Sequence, residues 1–182
     1  MTRQAPRLET DRLILRKIAL TDAPAIDEIF SDFAVARWLS LVPHPYPAGE
    51  AELFVEVCDG YYMWAIELRD VPGLIGTIGC DTPENIRALA FWVGRPHWGM
   101  GIASEAAREV LRFAFEDLAA NEVISGAFEG NDASMHIQRK LGFRVTGQRM
   151  LYSHSNGREL PHIDSILTRP AWEAQMRKGF PG

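Results

Sequence analysis

Two short stretches of this chain hold residue types and spacings that can do chemistry. In the first, Arg95-Pro96-His97-Trp98-Gly99-Met100-Gly101-Ile102-Ala103-Ser104, a glycine-bearing turn runs straight into a long helical pattern. Glycine accepts φ > 0 and close backbone approach, so the amides of Trp98 to Ser104 can converge on one point ahead of the helix. A helix N-terminus carries roughly half a positive charge and several amides without internal partners, which suits an anion and above all a pyrophosphate. Ser104 adds a hydroxyl donor. The same glycines also suit a tight packing turn that binds nothing, and the turn by itself leaves both readings open. Two rival phosphate motifs fail: no third glycine completes a dinucleotide fingerprint, and no Gly-Lys-Ser/Thr follows for a triphosphate.

The second stretch, Glu129-Gly130-Asn131-Asp132-Ala133-Ser134, opens another helix. Asn131 is a natural N-cap, whose side chain accepts from an amide of the first turn. Ser134 puts a hydroxyl three residues into that helix, and Glu129 puts a carboxylate just before it. By themselves these residues are explained without function, as a capping residue, a small residue in a first turn and a solvated loop acid.

The elements that would position these groups alternate between strand and helix periods. Leu13 to Ile18 reads as a strand, after which Thr21 is expected to cap a helix with Asp22 and Pro24 in its first turn and Ile26, Ile29 and Phe30 on its core face. A proline-rich loop, His44 to Gly49, precedes a helix from Glu50 to Val57. Tyr62 to Leu68, Leu74 to Cys80 and Leu89 to Gly94 read as a three-stranded meander, with turns at Val71-Pro72-Gly73 and Asp81-Thr82-Pro83. From Gly101 onward, Ala103, Ala106, Ala107, Val110, Leu111, Ala114, Phe115 and Leu118 recur at the spacing of one buried helical face. A strand from Glu122 to Phe128, a helix from Asn131 to Leu141 closed by Gly142, strands near Arg144 to Tyr152 and His162 to Leu167, and a last helix after Pro170 complete the pattern. Alternating elements with no internal linker define one α/β domain spanning residues 1–182.

Composition narrows the function. With 182 residues, 47% hydrophobic and 24% charged, the chain matches a globular protein, and no apolar run approaches the length of a membrane span. The polar start from Met1 to Arg7 is no signal sequence, and Cys58 and Cys80 lack metal-ligand spacing, so reduced thiols, no metal and a cytoplasmic location are expected. The net charge of −5, with no basic run interleaved with aromatics, disfavours nucleic acid. It would suit a cationic acceptor, but solubility explains it as well.

The two stretches together resemble the GNAT superfamily of N-acetyltransferases, whose first motif is Q/R-x-x-G-x-G/A and whose second is N-x-x-A/S followed by K-x-G-F. Trp98-Gly99-Met100-Gly101-Ile102-Ala103 fits the first except that Trp98 replaces Gln or Arg. Asn131, Ser134, Lys140, Gly142 and Phe143 fit the second. The branch most resembled is the ribosomal-protein-alanine N-acetyltransferase-like group, which shares Trp-Gly-x-Gly before an alanine-rich helix. The resemblance implies a mixed, mostly antiparallel, twisted sheet flanked by helices and splayed between its fourth and fifth main strands, those ending at Gly94 and starting at Glu122. Acetyl-CoA would lie in that opening, with its pantetheine arm near Trp92 and Val93 and on Asn131, and its pyrophosphate on the amides of Trp98 to Ser104.

The implied reaction moves the acetyl group to a primary amine, a protein N-terminus or a small molecule, by direct attack in a ternary complex of a monomer or homodimer. Many relatives protonate the thiolate with a tyrosine where Gln138 stands here; the branch most resembled uses a serine at the position of Ser134, which is therefore the acid candidate. The glutamate often used as base has no counterpart at Ala88 or Ala90, and Glu129 is the substitute, with Glu67, Asp164, His97, His136 and His162 behind it and Cys80 as an unfavoured nucleophile. Trp38, Phe54, Tyr61, Tyr62 and Trp64 belong either to an acceptor cleft or, as preferred, to the core. The missing tyrosine and glutamate also fit a second function, a non-catalytic acyl-CoA-binding module or sensor.

Overall fold

The computed structural model describes residues 4–81 and 86–179. Five strands build the first sheet: β1 (Leu8–Glu9), β2 (Leu13–Lys17), β3 (Met63–Leu68), β4 (Val71–Gly79) and β5 (Ala90–Val93), in that spatial order and antiparallel throughout. Helices cover both faces of this sheet, and from Leu74 to Gly79 β4 is buried at every residue instead of alternating, as a doubly covered strand must be.

On one face lie α1 (Ala23–Ser31) and α3 (Glu50–Cys58), with Ile26, Phe30 and Val55 packed on Ala65, Leu74 and Trp92. On the other lies α4 (Ile102–Arg112), whose Ala106, Val110 and Leu111 meet Leu13, Leu15, Trp64, Ile66 and Ile78. A π turn, Phe113–Asp117, extends α4. Between α1 and α3 stand α2 (Phe33–Ala36) and the proline loop, which contains a cis His44–Pro45 bond.

The second sheet has three antiparallel strands, β6 (Glu122–Phe128), β7 (Arg144–Ser153) and β8 (Arg158–Thr168), in the order β6-β8-β7. The helix α5 (Asp132–Leu141) crosses from β6 to β7 and joins the α4 side of the core through Leu141, next to Val123, Phe143 and Leu167. The last helix, α6 (Arg169–Lys178), buries Trp172, which stacks on Phe115 at 5.5 Å.

Among the described residues a single parallel bridge, Ala88 to Ile124, joins the two sheets. The mixed, mostly antiparallel sheet and its splay are therefore as expected. The splayed strands count as β5 and β6 because the two-residue strand Leu8–Glu9 precedes the rest.

Other expectations need correction. Thr21 does not cap α1: a 3-10 turn, Leu20–Asp22, intervenes, and Asp22 is the N-cap residue. The Asp22 carboxylate is drawn off to Arg16 at 2.8 Å and to the Ala19 amide at 2.9 Å. Val71-Pro72-Gly73 is no turn but the start of β4, where register shifts against Ile66 to Leu68 absorb the proline. The strand expected at His162 to Leu167 begins four residues earlier, at Arg158, in a long hairpin with β7. Of the turn expected at Asp81-Thr82-Pro83, all but Asp81 lies outside the described residues.

Candidate active site

The gap between β5 and β6 follows from hydrogen-bond alternation. At its closed end Leu89 N–H donates to Ile124 O at 2.8 Å, Ile124 N–H donates to Arg87 O at 2.9 Å, and the Ser125 hydroxyl donates to Leu89 O at 2.9 Å. Past that point the strands part. Opposed residues of an antiparallel pair alternate between bonded and non-bonded. Since Gly94 N–H donates to Ile75 O at 2.8 Å, and β5 is in register with Gly76 opposite Val93, the peptide groups of Trp92 turn to β4 while those of Phe91 and Val93 turn into the gap. Glu129 N–H donates to Pro161 O at 2.8 Å, so by the same alternation Gly126 and Phe128 present their backbone to the gap from β6. The Val93 and Phe128 carbonyls are taken by the Trp98 indole at 2.7 Å and the Asn131 backbone amide at 3.0 Å, whereas the N–H groups of Phe91, Val93, Gly126 and Phe128 have no protein acceptor among the described residues and need a ligand or water.

Beyond the open end stands the glycine turn. Gly99 and Gly101 take φ values of 72° and 75°, which turn the chain so that α4 starts beside β5. Among the described residues the amides of Gly99 to Ser104 find no protein acceptor, and the first helical bond from the turn is Glu105 N–H to Gly101 O at 3.0 Å. No atom lies within 4 Å of a Cβ built on Gly99.

The turn is held from behind by Arg12. Its Nη1 donates to Met100 O at 3.0 Å and its Nε to Glu105 at 2.7 Å, while the Thr10 hydroxyl also donates to Glu105, at 2.5 Å. Burial alone would raise the Glu105 carboxyl, but the bonds from Thr10 and Arg12 outweigh it and hold it below its usual value. The sequence reading missed this clamp, whose halves stand 93 residues apart.

The remaining expected site residues fall around the gap as follows. Trp98 is half exposed and its indole N–H donates to Val93 O at 2.7 Å, on the gap side of β5. The side chain of Ile102 is core; only its amide belongs to the turn. Asn131 caps α5 by accepting from Ser134 N–H at 3.2 Å. Ser134 Oγ accepts from Gln138 Nε2 at 3.3 Å, and Gln138 Oε1 accepts from the buried Ser165 hydroxyl at 2.5 Å. Because Ser134 accepts from Gln138, its own proton points elsewhere. Glu129 is exposed and accepts from Gln148 at 3.4 Å.

Other candidates separate. Glu67 is tied up in an ion network with Arg16 at 2.7 Å, and Asp22 shares that guanidinium. Burial pushes the thiols of Cys58 and Cys80 up to about 12, so neither is a nucleophile at neutral pH. Trp64 is core, Tyr62 packs between it and Phe113, and Phe54 packs on Phe30 and Trp92. Trp38 differs, because the end of its ring lies 3.8 Å from where a Cβ on Gly130 would sit. The segment carrying it is fastened to the β7–β8 turn: Ala36 O accepts from Ser155, Arg37 O from Asn156 and Ser40 O from His154 N–H, each at 3.0 Å. This strap spans the gap on the α1 side of the sheet.

An opening bordered on both strands by N–H groups without protein acceptors, ending on a turn of such amides, fits a ligand that joins an amide-bearing arm to a pyrophosphate. The sequence matches the acetyltransferase (GNAT) domain family over residues 12–144. The chain therefore belongs to that family and is an acetyl-CoA-dependent acetyltransferase. Among its relatives is the uncharacterized N-acetyltransferase YoaA of Bacillus subtilis, 34% identical over 161 residues that cover 84% of this chain and 90% of YoaA. A GNAT-family acetyltransferase from Bacillus anthracis shares the fold with a TM-score of 0.79 at 20% identity, over 90% of this chain and 98% of that one. So does the ribosomal L7/L12 α-N-protein acetyltransferase RimL, solved with coenzyme A, with a TM-score of 0.76 at 17% identity over 91% and 99% of the two chains.

Proposed function

We propose that this enzyme, as one domain over residues 1–182 acting in the cytoplasm, transfers the acetyl group of acetyl-CoA to a primary amine by direct attack in a ternary complex. The observation that carries the reading is the gap itself, with Phe91 and Val93 facing Gly126 and Phe128 and the free amides of Gly99 to Ser104 at its mouth.

The residues divide the work. The turn amides, with the α4 N-terminus behind them, hold the pyrophosphate. Trp92 and Val93 mark the strand along which the pantetheine arm runs, and the Asn131 amide, whose oxygen is spent on its cap, offers its N–H₂ to that arm. Val93 N–H, turned into the gap, holds the thioester oxygen as charge develops there. Ser134, accepting from Gln138, gives its proton to the departing thiolate, and Glu129, exposed before α5, lies on the path by which a proton taken from the amine by another group or by water reaches solvent. The acceptor is a protein N-terminus or a small-molecule amine that enters beneath the strap carrying Trp38.

The test is a screen with labelled acetyl-CoA against N-terminal peptides, aminoglycosides, polyamines and free amino acids. Acetylation of one class supports the proposal. Tight CoA binding with no amine acetylated would instead favour a sensor.

A further inference from the structure

The proposed reaction needs a base at the amine, and Glu129 stands on the wrong side to touch it. Opposed residues of an antiparallel pair share a face. Ile163 pairs with both Ala127 and Gln148, so Gln148 and the Glu129 it binds lie on the face of Ala127, Ser165 and Leu167, which α5 covers. The opposite face, on the strap side, carries Phe128 with His162 and Gly126 with Asp164.

On that face His162 reaches across the sheet. A Cβ on Gly126 would lie 2.4 Å from His162 Cε1 and 3.1 Å from Nε2, so the ring of a β8 residue lies over β6, the strand that borders the gap. Only glycine leaves room for it. The ring meets Phe128 edge-to-face at 5.5 Å, and its Nδ1 is 2.9 Å from Asp164 Oδ1. A carboxylate at Nδ1 fixes the tautomer that protonates Nδ1, which leaves the Nε2 lone pair free on the side nearer the gap. The His162 side chain is 14% exposed.

We propose that His162 is the general base and Asp164 its positioning residue. This rests on the function proposed above. Nε2 takes one proton from the amine nitrogen as that nitrogen bonds to the acetyl carbon; the carbon–sulfur bond breaks, and the thiolate takes a proton from Ser134. Amine and thioester become amide and thiol; His162 then returns its proton to water, and Ser134 regains one from water. Acid and base then work from opposite faces of the gap.

The charged groups facing the ring are Asp164 on its own strand and Arg149 on β7, 3.0 Å from Asp164, while β6 contributes only Gly126 and Phe128. Burial lowers the imidazole below its usual 6.5, Asp164 opposes that, and Arg149 adds to it. A base must be neutral, so activity should rise with pH through an apparent value below 6.5 and stay high above it.

The experiment is the pH dependence of thiol release from acetyl-CoA. It is run with the amine found by the screen and, independently of any amine, with water alone as nucleophile, because the same base serves both. In His162→Gln, kcat should fall about 100-fold or more with KM for acetyl-CoA nearly unchanged, and the low-pH limb should vanish. Asp164→Asn should keep a limb displaced to lower pH, since the group that raises the imidazole is gone. Coenzyme A titration of each variant checks that it is folded. A His162→Gln enzyme with unchanged kcat, or with the limb intact, overturns the assignment. If no amine reacts but the water reaction loses its limb in His162→Gln, the amine acceptor is wrong and the base stands. If neither reaction exceeds the rate without enzyme, both fall.

Discussion

Replacing Gly101 by aspartate tests the phosphate cradle most directly, provided that backbone strain and charge are separated. At φ 75° any side chain is strained, so Gly101→Ala should cost about 1 kcal/mol of folding stability and little affinity for coenzyme A. Its Cβ would meet nothing closer than Arg12 Nη2 at 3.5 Å. Gly101→Asp adds the same strain plus a negative charge beside the pyrophosphate. At about 5 Å and an effective dielectric near 20, one pair of unit charges repels by about 3 kcal/mol. Salt and the adjacent Arg12 guanidinium reduce that, so the aspartate should bind roughly 10- to 100-fold more weakly than the alanine variant. Calorimetric titration of both variants with coenzyme A, at low and high salt, measures the difference. Equal affinity in the two variants, or a difference that salt leaves unchanged, would refute the cradle.

Three further outcomes are expected. Ser134→Ala should lower kcat by about 100-fold while KM for acetyl-CoA changes little; a rise confined to KM would make Ser134 a binding residue. Burial by itself would raise the Asp22 carboxyl, but hydrogen bonds from Arg16 and the Ala19 amide, with the charge of Arg16, hold it below 3.8. Its contribution to stability is therefore complete above that value and lost as pH falls through the lowered one, so the melting temperatures of wild type and Asp22→Asn should converge on acidification. Cys58 and Cys80, pushed up to about 12 and buried, should stay unreactive to a disulfide reagent at pH 8 until denaturant is added, as colorimetric thiol titration would show.

How far the sequence revealed the molecule depended on the range of the interaction. The α4 stripe, the strands β2, β3 and β5 of the first sheet and Gly142 closing α5 are local patterns, and each stands close to where expected. The hairpin of β7 and β8 was legible only in part, because Arg144 to Met150 are all exposed and carry no alternation of burial. The short strand Leu8–Glu9 and the one-turn α2 are too brief for any period to register. Within the site, the glycine turn and Asn131 announced themselves by spacing. The Arg12 clamp, the Ser165–Gln138–Ser134 chain and the ring of His162 over Gly126 did not, since each joins residues far apart in sequence that only the completed sheet brings together.

The splay between β5 and β6 also bears on how long the protein survives. Two strands that part with N–H groups lacking protein acceptors forgo the ladder bonds that a continuous sheet would make there. Whatever fills the gap is linked to folding by mass action, so thioester at about 100 times its dissociation constant adds about 2.7 kcal/mol. If the gap holds acetyl-CoA as proposed, resistance to heat and to proteases should rise with the concentration of that donor.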